Sequence, residues 1–248
     1  MPCYDILYRM KDMRRTVLFL LSFFFIVISG FTDPLSEGMY TRERLMQVYR
    51  NEIAETSSHE IAASEVGEWY DIIETSLFML IRRTELFRGS MRLIITDWKN
   101  ARCMMYPDGT FLVSTGLLDY IDSLLFMDTS GSTRKIRNLN NERENFFAPI
   151  AAVCVAQFAL NYYNTAKNTA LSPEQLYTVD IMASVLLTIA GYPQGLLETW
   201  LNRLAVLYAD TETAKIFASF STGSVKPAAR LEQLNGDRDD ITHLYEEI

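Results

Sequence analysis

The sequence predicts an α+β fold: helices leading, a small antiparallel sheet, then a helical half around a buried central helix. Three observations carry this. Two stretches near the start repeat apolar residues at helical spacing. Two short apolar runs, 91–97 and 106–116, read as strands, the second entered through a Pro-Asp-Gly turn. Residues 148–163, APIAAVCVAQFALNYY, are almost wholly apolar, with Gln157 as the mid-run polar side chain.

Taken in order, 40–55 is helical through Leu45, Val48 and Tyr49, and 63–83 through Val66, Trp69, Tyr70, Ile73 and Leu77. Residues 91–97 are branched and apolar, as in a buried strand. In 106–116 the turn feeds a strand with Phe111 and Val113 on one face. Residues 127–145 are polar and lack a period, which predicts a long loop. From Phe146 to Leu160 a helix would span roughly 22 Å, short of a ~30 Å hydrocarbon core. A helix apolar all round and outside lipid belongs at the centre of a core. Pro149 fits there if it falls in the first turn. The next helix has Ser172 as cap, Pro173 in first position, Gln175 completing a capping box, and Gly191 as its stop. A further helix at 194–208 carries Leu197, Trp200, Leu201 and Leu204 on one side, and a short helical piece lies near 228–234.

With 248 residues, 49% of them hydrophobic, the chain is long enough for a good-sized core. A formal charge of -8 argues against a nucleic-acid partner, since the one dense basic run is Arg134, Lys135 and Arg137. The N-terminus reads as a secretory signal over 1–30. Its n-region is basic, the apolar run goes from Val17 to Ile28, and Ser29 and Gly30 are small exit residues. Translation could start at Met1, Met10 or Met13. The expected location is periplasmic or secreted, and an uncleaved segment would anchor the protein in the inner membrane. With Cys3 in the signal, Cys103 and Cys154 are the one pair left, read as two buried free thiols. His59 and His243 read as solvated surface residues. The pairs Tyr162–Tyr163 and Phe146–Phe147 read as core edges.

Several motifs together resemble the M48 metallopeptidases, a zincin-like family. They are Asn100-Ala101, Pro107-Asp108-Gly109, the run Val113–Asp119 (VSTGLLD), Leu176–Asp180 (LYTVD), Ala190–Pro193 (AGYP), Ser221–Ser224 (STGS) and Arg230–Leu234 (RLEQL). The resemblance runs from about Val66 to Leu234. It divides the chain into a leading helical segment at 31–62, an M48-like domain at 63–235 and a polar tail at 236–248. Carried over residue by residue, it implies that the chemistry is gone. The two histidines that would meet one Zn²⁺ from one helix face correspond to Val153 and Gln157, and the general-base glutamate to Cys154. The third ligand falls on Leu176, and Glu174 lies about 200° away around that helix. The accessory histidine corresponds to Gly223. Only the supporting Asp180 is kept. No cofactor or metal is expected.

The resemblance also implies that the strand with Phe111, Leu112, Val113 and Ser114 is a sheet edge able to take an extended peptide by strand addition. That edge is either still open or covered by the 127–145 loop. Catalysis by Cys154 has little support, because no histidine is near it and its neighbours are apolar. The function expected is that of an inactive M48-like pseudopeptidase binding protein or peptide in the cell envelope, in quality control or assembly. The alternatives are an active zinc metalloendopeptidase with an unrecognised metal site, or a purely structural envelope protein.

Overall fold

A computed structural model describes residues 42–82, 91–127, 138–160, 171–207 and 225–236. All belong to one compact unit, 42–236. The signal, the basic run, Tyr162–Tyr163, Gly223 and His243 lie outside the described residues. The architecture is mixed α+β and mostly helical, with one three-stranded sheet. No described helix is long and apolar enough to cross a membrane.

Helix α1 (Arg42–Ser58) sets Tyr49 edge-on against Tyr106, ring centroids 5.7 Å apart. With Ile94 and Leu112 these rings form a buried cluster flanked by Ile53, Trp98 and Met104. The side chains of Leu45 and Val48 lie outside the described set. The helix expected over 63–83 is broken in two, α2 (Ala63–Val66) and α3 (Glu68–Arg82). The break is Gly67, at φ 56°, where a left-handed residue ends one helix and re-aims the next. Helix α3 buries Trp69, Ile73 and Leu77 as the spacing predicts, and adds Ile72 and Leu80.

The sheet corrects the expectation of an antiparallel pair. Strands β1 (Arg92–Thr96), β2 (Cys103–Met105) and β3 (Thr110–Ser114) run in the order β1-β3-β2. Strands β1 and β3 are parallel, Ile94 opposite Leu112, whereas β2 and β3 are antiparallel, Met104 opposite Leu112. The Pro-Asp-Gly turn joins β2 to β3, closed by Tyr106 N–H donating to Thr110 O at 2.8 Å. Gly109 takes φ 89° there, and Asp108 accepts from Thr110 N–H at 2.8 Å. Strand β3, expected at the edge, is therefore the central strand. Both its flanks are hydrogen-bonded and all five residues are buried. Phe111, Leu112, Val113 and Ser114 thus have no free edge for a peptide.

Placing β1 and β2 on opposite sides of β3 forces 97–102 across its end. Ser114 Oγ donates to Asn100 O at 2.8 Å and accepts from Arg102 N–H at 2.7 Å. Gly116 N–H donates to Trp98 O at 2.9 Å. A Cβ on Gly116 would lie 2.1 Å from Lys99 O, so only glycine admits the crossing chain. On its other side, β1 meets the chain after α1, with Ile61 N–H donating to Ile95 O at 2.9 Å.

Helix α4 (Thr115–Met127), absent from the sequence reading, starts directly where β3 ends. Helix α5 (Leu139–Ala159) overturns part of the expected loop: 139–145 forms its first two turns. Asn138 caps it by accepting from Asn141 N–H, and the polar residues of those turns find ionic partners rather than apolar ones. Pro149 consequently sits in the helix interior, not the first turn. It withholds a donor from Asn145 O, a local cost of about 3 kcal/mol that burial of the surrounding helix must offset. Helix α6 (Pro173–Ala190) has the predicted capping box and Pro at its start, and Gly191 at φ 91° ends it. Helix α7 (Leu196–Leu207) buries Leu197, Trp200, Leu201 and Leu204. Helix α8 (Pro227–Gly236) buries Pro227, Arg230 and Leu234.

Candidate functional site

Every residue of α5 from Phe146 to Ala156 is buried. This apolar cylinder packs against α6 on one side and touches α3, α4, α7 and β2 on others. Its all-round composition follows from having protein on every side. Val153 and Cys154 are buried within it and Gln157, one turn on, is half-buried. Leu176 on α6 is fully buried. The positions that the resemblance matches to a zinc site are thus carried by two helices packed on each other.

The donor chemistry there does not fit zinc. Valine and leucine have no donor atom, and a carboxamide is a poor ligand beside imidazole or thiolate. Among the described residues no group of three or more His, Cys, Asp or Glu is arranged to hold a metal ion. Gly223 lies outside the described set.

Cys154 is the one side chain of this group with reactive chemistry. Its Sγ lies 3.4 Å from the carbonyl oxygen of Cys103 and 3.7 Å from Cys103 Sγ. The strand register explains the approach. Ser114 N–H donates to Arg102 O, and Tyr106 N–H to Thr110 O. The backbone groups of 102 and 106 therefore face β3, and those of Cys103 and Met105, one residue out of phase, face the other way. The S–H of Cys154 covers the outward carbonyl of Cys103. Burial pushes the Cys103 thiol well above its ordinary value, and the hydrogen bond and charge of Cys154 push it the same way. Both cysteines are free thiols; Cys154 is buried as the sequence predicts, whereas Cys103 is half-buried.

Asp180 has a partner that sequence reasoning missed. On α6 its carboxylate accepts from Arg230 Nε of α8 at 2.7 Å, and Arg230 Nη2 donates to its second oxygen. The two side chains are 1% and 3% exposed. Burial raises the Asp180 carboxyl above its ordinary value, and the guanidinium offsets part of that rise. A carboxylate on the buried side of an otherwise apolar helix requires a cation, and that was the available signal. Which cation it would be had no local cue.

A second polar cluster sits on the early turns of α5. Arg143 grips Asp122 through Nε at 2.7 Å and Nη2 at 2.8 Å. Its guanidinium also lies over the Trp69 ring, while Trp69 Nε1 donates to the same carboxylate at 3.2 Å. Tyr192, in the Ala190–Pro193 motif, donates to Glu144 at 3.0 Å. These contacts orient α5 against α3, α4 and the end of α6. His59 lies at the surface, 3.0 Å from Asp97 and near the Trp98 ring, remote in sequence and element from α5.

No family model matches this chain, and no curated protein matches it.

Proposed function

We propose that the chain is a zincin-like pseudopeptidase of the M48 type, exported to the cell envelope and acting by binding protein or extended peptide rather than by hydrolysis. One observation supports the reading: residues of the motifs that carry the resemblance, far apart in the sequence, come into contact in the fold. Asp180 of the LYTVD motif is clasped by Arg230 of the RLEQL motif. The VSTG motif secures Asn100 and the crossing chain through Ser114 and Gly116. The helix at the degenerate zinc positions packs against the helix bearing Leu176 and Asp180. Apolar Val153 and Leu176 and the carboxamide of Gln157 occupy the ligand positions, so on this reading the site stabilises the core instead of activating water.

With β3 in the middle of the sheet, the peptide-accepting surface moves to the outward side of β2, at Met105, beyond the Cys103 carbonyl that Cys154 covers. An extended segment would add there by main-chain hydrogen bonds. Elemental analysis of purified protein is the direct test, alongside incubation with an unfolded protein substrate. Substoichiometric zinc and no cleavage are expected. One tight zinc per chain with hydrolysis would replace this reading with that of an active metallopeptidase. Met105→Pro removes an outward N–H while leaving the inward bonds of 104 and 106 in place. It should abolish peptide binding at unchanged helix content.

A further inference from the structure

We propose that Cys103 and Cys154 are a disulfide-forming pair that locks β2 to the central helix α5. The sequence has three cysteines, and the third, Cys3, lies in the N-terminal segment. The two sulfurs are already 3.7 Å apart. A disulfide needs ~2.05 Å, so the sulfurs must close by about 1.6 Å. The two residues are 51 positions apart, on elements that pack directly. Their juxtaposition is a product of the tertiary fold.

The oxidant is a small disulfide or a disulfide-bearing protein, written RSSR. The thiolate of Cys103, the half-buried member, attacks one sulfur of RSSR. The S–S bond of the donor breaks and RS⁻ leaves with the electron pair. Cys154 then attacks Cys103 Sγ in the mixed disulfide, forming the intramolecular bond and expelling the second RS⁻. The two protons lost by the protein thiols end on the two RSH molecules, so the protein is oxidised by two electrons and RSSR reduced by two. Burial holds the Cys103 thiol protonated, which keeps the attacking fraction small and the reaction slow near neutral pH. Oxidation also removes the Cys154 proton donated to the Cys103 carbonyl, so that acceptor loses this hydrogen bond.

The pair does not depend on the pseudopeptidase reading, and the test is independent of zinc and of hydrolysis. Full-length protein carrying Cys3→Ser is exposed to oxidised glutathione, denatured, alkylated and examined by intact mass and peptide mapping. The expected product has lost two hydrogens, takes up no alkylating agent, and yields one peptide pair linking Cys103 to Cys154. Its melting temperature should rise by on the order of 10 °C, because a loop of this length is constrained in the unfolded chain, and dithiothreitol should reverse the rise. Adding Cys154→Ser should instead trap glutathione on Cys103. Two alkylatable thiols persisting after oxidation, or a stable mixed disulfide with Cys154 still present, would overturn the proposal.

Discussion

Breaking the Asp180–Arg230 pair from either side should damage the fold far more than removing both partners together. Each side chain is almost fully buried, 1% and 3% exposed, and the pairing is bidentate. Taking away one partner leaves the other desolvated and uncompensated, at a cost of about 3–5 kcal/mol. Against a typical total stability of 5–15 kcal/mol, Asp180→Leu or Arg230→Met should lower the melting temperature by roughly 6–20 °C. Asp180→Leu with Arg230→Met replaces the pair by apolar groups that fit an apolar surround, and should fall within about 2 kcal/mol of the parent. The singles then sum to at least ~6 kcal/mol and the double to at most ~2, a non-additivity above ~4 kcal/mol. Urea denaturation followed by circular dichroism measures all four corners of this cycle. The pH dependence separates the singles. Burial raises the Asp180 carboxyl, so the folded protein holds a proton that the unfolded chain has released, and stability grows on acidification toward the ordinary value of 3.8. Arg230→Met removes the cation that offsets this rise, so its deficit should shrink as the pH falls, whereas that of Asp180→Leu should not. A double variant as unstable as the two singles combined would refute the argument and show the pair to be a simple sum of contacts.

The remaining expectations concern other parts of the fold. Gly116→Ala places a methyl 2.1 Å from Lys99 O and should cost about 3 kcal/mol or more, read as loss of soluble protein or a much lower melting temperature. Ser172→Ala removes the cap that accepts from Gln175 N–H and should cost ~1 kcal/mol, a drop of about 2–4 °C in calorimetry. Cys103, Tyr106 and Tyr192 are all raised by burial above ordinary values of 9.0, 10.0 and 10.0. Their contribution is complete below about pH 9 and is lost as pH rises, since the unfolded chain releases protons that the folded one keeps. Urea midpoints should therefore fall as the pH rises above about 9, less so in Tyr106→Phe; a flat profile counts against burial of these groups. Restoring Val153→His, Cys154→Glu and Gln157→His together should give no peptide hydrolysis, because Leu176 still supplies no third ligand. It should also destabilise the fold by several kcal/mol, since a carboxylate enters an apolar core. Robust cleavage by this variant would mean that the third ligand lies elsewhere.

The sequence by itself determined the elements whose signals are local. Ser172, Pro173, Gln175 and Gly191 fix both ends of α6, because a cap bonds groups three or four residues away. The spacing of Leu197, Trp200, Leu201 and Leu204 gives the buried face of α7, and the all-round apolar run gives α5 its central place. Local signals also misled. The polar stretch before Phe146 lacks a period because its side chains answer to Asp122, Glu68 and Tyr192 on other elements, so two helical turns read as loop. Only the tertiary structure decided which strand is central, since β1 and β2 have equal claims to the β3 flank until the 98–102 crossing over Gly116 is in place. It alone joined Asp180 to Arg230, 50 positions apart, and Cys103 to Cys154, 51 apart. Such partners leave no periodic trace in the chain: the demand for a partner is written at one residue, and its identity is set by which distant element the fold brings alongside.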